Sequence, residues 1–382
     1  MRVLHYVWST HFGGIERLAL DLVGEQRSKC GHHVGILVGQ DKGEFSSSFH
    51  AGCDEFLSLD LINGRDRNSG KRKAAVEFMR QFDIVHIHTF NPTICRAAIE
   101  SGRKIIYTEH GNFGFGRKRT WADLFKSLLL RRFLNQKVDY VTFNSNFTMQ
   151  FARSRYGLKS VEKSVVYNGI CIPEQTKKPT ADIAPEILAA TDGKFVVGTT
   201  SRFAGFKRVD RLVDAFAKFS KGRNDVVLLL VGDGVLRQEL ERHVERVGIR
   251  NQVIFAGFRS NVGDYQSLID VCVFPSECEP FGLVAVETLA RGKPTLVFRD
   301  GGGIIEIVAP VCPGDVVESI DMMADRLTNY YESRDLLADT DNQRRNRADV
   351  FKISTMASEM DVVYLKVVNQ SSTGTQRPIS TT

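Results

Sequence analysis

Short apolar runs alternate with longer amphipathic stretches along most of the chain. Val3 to Val7, Val196 to Thr200, Leu228 to Val231 and Ile269 to Phe274 are apolar over consecutive positions, as in strands covered on both faces of a parallel sheet. Asp83 to His88 and Lys104 to Gly111 carry the same core and turn polar at their carboxyl ends, where open α/β sheets place their ligands. Amphipathic segments between these runs predict helices, for example from His11 to Arg17 onward, Val235 to Val247, and Leu283 to Arg291 with Gly292 just past its end. The alternation continues through both halves and implies parallel, doubly wound sheets. A chain of 382 residues accommodates two such domains of about 180 residues, each with its own core. The boundary is expected in 172–185, a polar stretch with three prolines. That gives an N-terminal domain over 1–175 and a C-terminal domain over 186–351, and the Ser- and Thr-rich end, 369–382, is expected to be a disordered tail.

Chemistry concentrates where strands give way to helices. In the run Pro275 to Glu287 two carboxylates stand eight positions apart across such a junction: Glu279 in a loop broken by Pro275 and Pro280, and Glu287 inside the following helix. The amides of Phe281, Gly282 and Leu283 fall in the first turn, where N–H groups lack intrahelical partners and suit an anion. A loop carboxylate can accept hydroxyls of a sugar, and one further into the helix can reach the two hydroxyls of a ribose. After the Val196 strand, Arg202 and Lys207 form an R-x4-K spacing. Gly232, Asp233 and Gly234 follow the Leu228 strand. Gly13 and Gly14 follow the first strand, with Glu16 in the next helical turn. His88 and His110 stand at the ends of two further strands.

These motifs together resemble the donor site of family 4 of the retaining glycosyltransferases, enzymes of the GT-B fold in which two Rossmann-like domains face each other across a cleft. The match spans both halves; P-S-x-x-E-P-F-G-L around the E-x7-E core is its most specific part. The resemblance implies that Arg202 and Lys207 bind the donor diphosphate, where fixed cations favour a leaving group that gains charge. It implies that Glu279 and the amides of Phe281, Gly282 and Leu283 orient the sugar, that Glu287 holds the ribose, and that Gly13 and Gly14 bring bare backbone near the phosphates; Gly232, which allows close backbone approach or positive φ, is a further donor-binding candidate. His110 matches the histidine that faces the transferred sugar, and Glu16 and His88 are assigned to the acceptor side. The last helix, 352–368, is expected to pack back on the first domain. Two departures stand out: Arg208 replaces the usual glycine after Lys207, and Tyr167 replaces proline before Asn168 and Gly169.

Seven cysteines, odd in number and without a CxxC pair, suggest neither a disulfide framework nor a zinc site. Met1 to Val7 is read as entering a strand directly, with no signal-peptide pattern, and no apolar run reaches bilayer length; a cytoplasmic protein is expected, peripheral at most on the inner face of the plasma membrane. A D-x-D pattern occurs at Asp339 to Asp341 within a charged helical region, read as a solvated face; no metal and no cofactor is expected. Charge is uneven. Residues 1–180 hold 27 Lys and Arg against 17 Asp and Glu, or +10, and the remainder 24 against 28, or −4. Much of the excess lies in 114–137, where Arg117, Lys118, Arg119, Lys126, Arg131, Arg132 and Lys137 surround apolar positions at three- and four-residue spacing, with Thr120 and Asp123 placed as a capping box. Either the apolar stripe packs on its own domain, or part of the segment lies on an anionic membrane and presents the site to a lipid-linked acceptor. No nucleic-acid motif accompanies the basic charge.

The reading is a hexosyltransferase that uses a UDP- or GDP-sugar and a glycan or lipid-linked acceptor, in the assembly of surface polysaccharide or lipopolysaccharide. A soluble acceptor, or a GT-B epimerase or phosphorylase, would share the fold. A catalytically silent binding protein would be expected to have lost Arg202, Lys207 or Glu279, and all three are present.

Overall fold

The computed structural model describes residues 1–63, 66, 68–111, 120–158, 161–172 and 183–370. By internal contacts they divide into two units. The first holds the described residues up to Cys171 together with those from Ile353 onward, and the second holds Ile172 to Lys352. Most of the expected linker and the tail from Ser371 lie outside the described residues.

The first unit is a seven-stranded parallel sheet: β1 (Arg2–Ser9), β2 (His33–Gln40), β3 (Glu55–Ser58), β4 (Ile84–Ile87), β5 (Lys104–Glu109), β6 (Tyr140–Phe143) and β7 (Glu162–Val165), in the order β3-β2-β1-β4-β5-β6-β7. The order reverses between β1 and β4, and an open α/β sheet has its ligand crevice at such a reversal. Val3, Ile84 and Ile106, from β1, β4 and β5, form one core with Leu18 and Leu22 of the Gly14–Ser28 helix. The Ile353–Asn369 helix adds Met356, Met360, Val363, Tyr364 and Val367 to that core, so this helix is an integral layer of the first unit.

The second unit repeats the design with six parallel strands: β8 (Phe195–Thr200), β9 (Val226–Val231), β10 (Val253–Gly257), β11 (Val271–Phe274), β12 (Thr295–Phe298) and β13 (Val316–Val317), in the order β10-β9-β8-β11-β12-β13. Its reversal lies between β8 and β11. The apolar run Ile269 to Phe274 is shorter as a strand than its hydropathy implies, because Ile269 ends the Val262–Leu268 helix by donating its N–H to the Gln266 carbonyl. Asp270 then accepts the Val196 amide at 2.8 Å, which registers β11 against β8. The helix expected from Val235 starts at Arg237. The Asp339 to Asp341 pattern straddles two short helices, and Asp341 pairs with Arg345 at 2.9 Å.

Candidate active site

In the second unit the motif residues follow the two strands at the reversal. Past β8 the chain runs through Ser201, Arg202 and Phe203 to a 3-10 turn at Gly205–Lys207. This loop is braced from below by the Gly232-Asp233-Gly234 turn: the Ser201 amide donates to the Val231 carbonyl at 3.0 Å and the Phe203 amide to the Asp233 carbonyl at 2.9 Å. A Cβ at Gly232 would sit 2.0 Å from the Ser201 carbonyl oxygen, and φ there is 142°, so glycine is required by the loop that carries Arg202. Arg202 is exposed and makes no side-chain hydrogen bond or ion pair among the described residues. Arg208, where the resemblance leads one to expect glycine, adopts φ 47° and ψ 42°, a left-handed conformation that favours glycine. Its guanidinium is held by Asp210 at 3.0 Å and Glu277 at 3.3 Å, so the loop keeps its shape with arginine in place.

Lys207 and Glu279 meet: Nζ lies 2.5 Å from Oε2, with both side chains largely buried. Glu279 is fixed by backbone as well, donating its N–H to the Gly301 carbonyl at 2.8 Å and accepting the Gly303 amide at 2.7 Å. Gly282 begins the Leu283–Ala290 helix at φ 99°, with no side-chain cap, and a Cβ there would stand 2.7 Å from Ile304. Phe281 turns its buried ring edge-on to Phe351 at 5.6 Å, so only its backbone is available to a ligand. Glu287 accepts from Gln266 Nε2 at 3.4 Å, and the same amide nitrogen reaches Thr200 Oγ1 at 3.1 Å. Gln266 therefore ties the ribose candidate to the end of β8. No local pattern in the sequence marks it, whereas the Gly301 to Gly303 triplet after β12 was a visible signal.

In the first unit Gly13 caps the Gly14–Ser28 helix in extended backbone, and the Glu16 carboxylate folds over it, 2.2 Å from where a Cβ would be. Nothing lies within 4 Å of a Cβ built on Gly14. Burial raises the Glu16 pKa from its ordinary value. His88 and His110 sit at the ends of β4 and β5, but His88 is only 2% exposed and both its ring nitrogens are engaged. It lies beneath His110, which is 8% exposed, rather than on a surface. His88 Nε2 is 2.9 Å from His5 Nδ1, and His88 Nδ1 is 3.1 Å from His110 Nε2. His86 pairs with Tyr364 at 2.8 Å and Thr108 at 2.6 Å. Burial depresses all four imidazoles: His5 and His110 to about 4, His86 and His88 well below the ordinary histidine value. Each is neutral at pH 7.

A family model, "Glycosyl transferases group 1", matches residues 181–347, and a second, "Glycosyltransferase Family 4", matches 12–172. The chain belongs to the family-4-like GT-B glycosyltransferases. It is an enzyme of glycosyl transfer. Among its relatives, the N-acetyl-alpha-D-glucosaminyl L-malate synthase of Bacillus anthracis is 27% identical over 92% of this chain and 94% of that one. The O-antigen biosynthesis glycosyltransferase WclY of Escherichia coli is 23% identical over 90% and 96%. The crystal structure of Anabaena Alr3699/HepE in complex with UDP and glucose has a TM-score of 0.79 at 20% identity, covering 96% of this chain and 100% of that one. That likeness establishes the fold.

This glycosyltransferase also carries an unusual helix, Trp121–Gln136. Thr120 and Asp123 cap it reciprocally, side chain to backbone in both directions. Its C-terminal half is anchored by buried Leu130, Phe133 and Leu134. Its N-terminal half is not: Trp121 is 88% exposed and Phe125 63%, with Leu124 and Leu128 also exposed beside Lys126. The internal-packing alternative thus holds, among the described residues, for the C-terminal half of this helix. Arg117, Lys118 and Arg119 lie outside the described residues. No helix among the described residues is long and apolar enough to cross a membrane.

Proposed function

We propose that this glycosyltransferase moves a hexose-type sugar from a UDP- or GDP-sugar to a hydroxyl of a glycan or lipid-linked acceptor, with retention of configuration and without a metal. The observation that carries this reading is the set Arg202, Lys207, Glu279 and Glu287 following β8 and β11, the two strands at the reversal of the second sheet. Cations beside a departing diphosphate stabilise charge that develops only as the bond breaks. The bond from the anomeric carbon to the diphosphate oxygen breaks, a bond to the acceptor oxygen forms on the same face, and the acceptor proton passes to the departing oxygen. No side chain need act as a nucleophile. Glu279 is the candidate for sugar hydroxyls and Glu287 for the ribose. His110 is the candidate contact to the transferred sugar, while Gly13, Gly14 and Glu16 remain candidates on the first unit. HepE was crystallised with UDP and glucose, and WclY is named for O-antigen biosynthesis, which agrees with this donor and acceptor class.

The exposed Trp121 and Phe125 face among cations supports an anionic membrane as the place of work, since amphipathic helices bury such a face at the headgroup boundary. A second reading, transfer to a soluble acceptor, is favoured by the relative named for an L-malate product. A thermal-shift screen of UDP-, GDP-, ADP- and dTDP-sugars tests the donor: a ligand at 100 times its dissociation constant stabilises by about 2.7 kcal/mol. A shift with a UDP- or GDP-sugar is expected, and no shift with any of the four contradicts the reading.

A further inference from the structure

The buried histidines form a chain whose hydrogen-bond direction can be deduced. Gln26 Oε1 lies 2.8 Å from His5 Nε2, and an amide oxygen only accepts, so His5 must carry its proton on Nε2. A neutral imidazole has one N–H, which leaves His5 Nδ1 an acceptor. His88 must then donate from Nε2 at 2.9 Å, and His110 must donate from Nε2 to His88 Nδ1 at 3.1 Å. The chain ends at His110 Nδ1, which is buried and has no partner among the described residues. At the other end Gln26 Nε2 donates to the Tyr364 hydroxyl at 3.1 Å, and that hydroxyl reaches His86 Nδ1 at 2.8 Å. Turning the Gln26 amide over would reverse every bond and leave an orphaned N–H at His110, which is rarer in proteins than an under-used acceptor.

We propose that Gln26, His5, His88 and Tyr364 are positioning residues that hold His110 in one tautomer, with the lone pair of Nδ1 directed to a hydroxyl of the substrate. A buried acceptor left without a donor carries a desolvation cost that a sugar hydroxyl would relieve. The proposal rests on the reading of His110 given above and adds the device that sets its polarity. Three of these imidazoles are close enough to be weighed as a metal site. Two nitrogens on one tetrahedral zinc at about 2.0–2.1 Å would stand roughly 3.3 Å apart. The 2.9 Å between His5 and His88 is a hydrogen bond.

Nitrogen-15 NMR of histidine-labelled full-length protein distinguishes the tautomers without any substrate. The expected result is His5, His88 and His110 all protonated on Nε2. A proton on His110 Nδ1, or one zinc per chain that is lost in His88→Ala, overturns the proposal. Tyr364→Phe keeps the packing and releases the Gln26 amide, and Gln26→Met removes the anchor. Each is expected to mix the His110 tautomers and lower kcat by on the order of tenfold to a hundredfold, with donor KM within about twofold. Turnover is measured with the donor selected by the thermal-shift screen. In a His110→Ala background neither change should lower kcat further; additive losses would show that they act through the fold and overturn the proposal. Full turnover in His110→Ala would end both the role of His110 and this device, whereas absence of any transfer would sink the donor reading and leave the NMR result to decide the tautomer.

Discussion

Lys207 and Glu279 neutralise each other in a largely buried contact, and both are proposed donor-site residues. Removing one charge of such a pair leaves the other uncompensated. Glu279→Gln should therefore leave Lys207 more available to a diphosphate, so nucleoside diphosphate binding is kept or tightened while transfer falls. Glu287→Gln removes the proposed charged contact to the ribose and should weaken that binding. Calorimetry with UDP and GDP on the two variants checks both; equal affinities would mean that the roles are misassigned. Gly232 makes a separate prediction. A Cβ there meets the Ser201 carbonyl at 2.0 Å in a conformation that side chains rarely adopt, so Gly232→Ala should cost roughly 2 kcal/mol or more and displace Arg202. Denaturant unfolding gives the first quantity and turnover the second, and an unchanged midpoint would refute the bracing role.

Elements explain what was legible and what was not. β1, β4, β5, β8, β9 and β11 were readable because parallel strands covered on both faces need apolar runs, and β8 and β9 are buried throughout. The capping box of the Trp121 helix was readable because it depends on positions three apart. The histidine chain was not, since its links join residues 21 to 338 positions apart and Gln26 sits in an ordinary helix. Gln266 escaped for the same reason. At this scale pH acts on β1, β4 and β5. The folded His5 and His110 titrate near 4 and the unfolded ones near 6.5. The unfolded chain thus takes up protons that the fold refuses: stability is complete above about pH 6.5 and declines as pH falls toward 4, by on the order of 3 kcal/mol for each when considered alone. Thermal unfolding between pH 7.5 and 4.5 should show a falling midpoint, and a flat or rising one would mean protonated imidazoles in the fold. For the Trp121 helix, Trp121→Ala and Phe125→Ala should change stability by less than about 0.5 kcal/mol, because both rings are exposed. The same changes should reduce co-sedimentation with anionic vesicles, and salt should release the wild type. Loss of stability without loss of lipid binding would favour a packed helix and a soluble acceptor.

Across the whole molecule, the Ile353–Asn369 helix belongs with the described residues up to Cys171 in the first unit. The Ile353–Asn369 helix covers Val3, Leu18 and Ile84, and through Tyr364 it touches the polar chain that leads to His110. Its apolar positions predicted a helix; its destination came only with the family resemblance, since periodicity does not say which core a helix joins. The net charge is +10 over residues 1–180 and −4 over the rest; in the proposed reading the basic half meets anionic lipid, and the acidic half holds a diphosphate with only a few cations. The central claim concerns those few cations. Turnover of Arg202→Ala and Lys207→Ala against the wild type, with each protein shown folded by an unchanged melting temperature, tests it most directly. The account predicts a loss on the order of 100-fold or more in each, and near-normal turnover in either would contradict it.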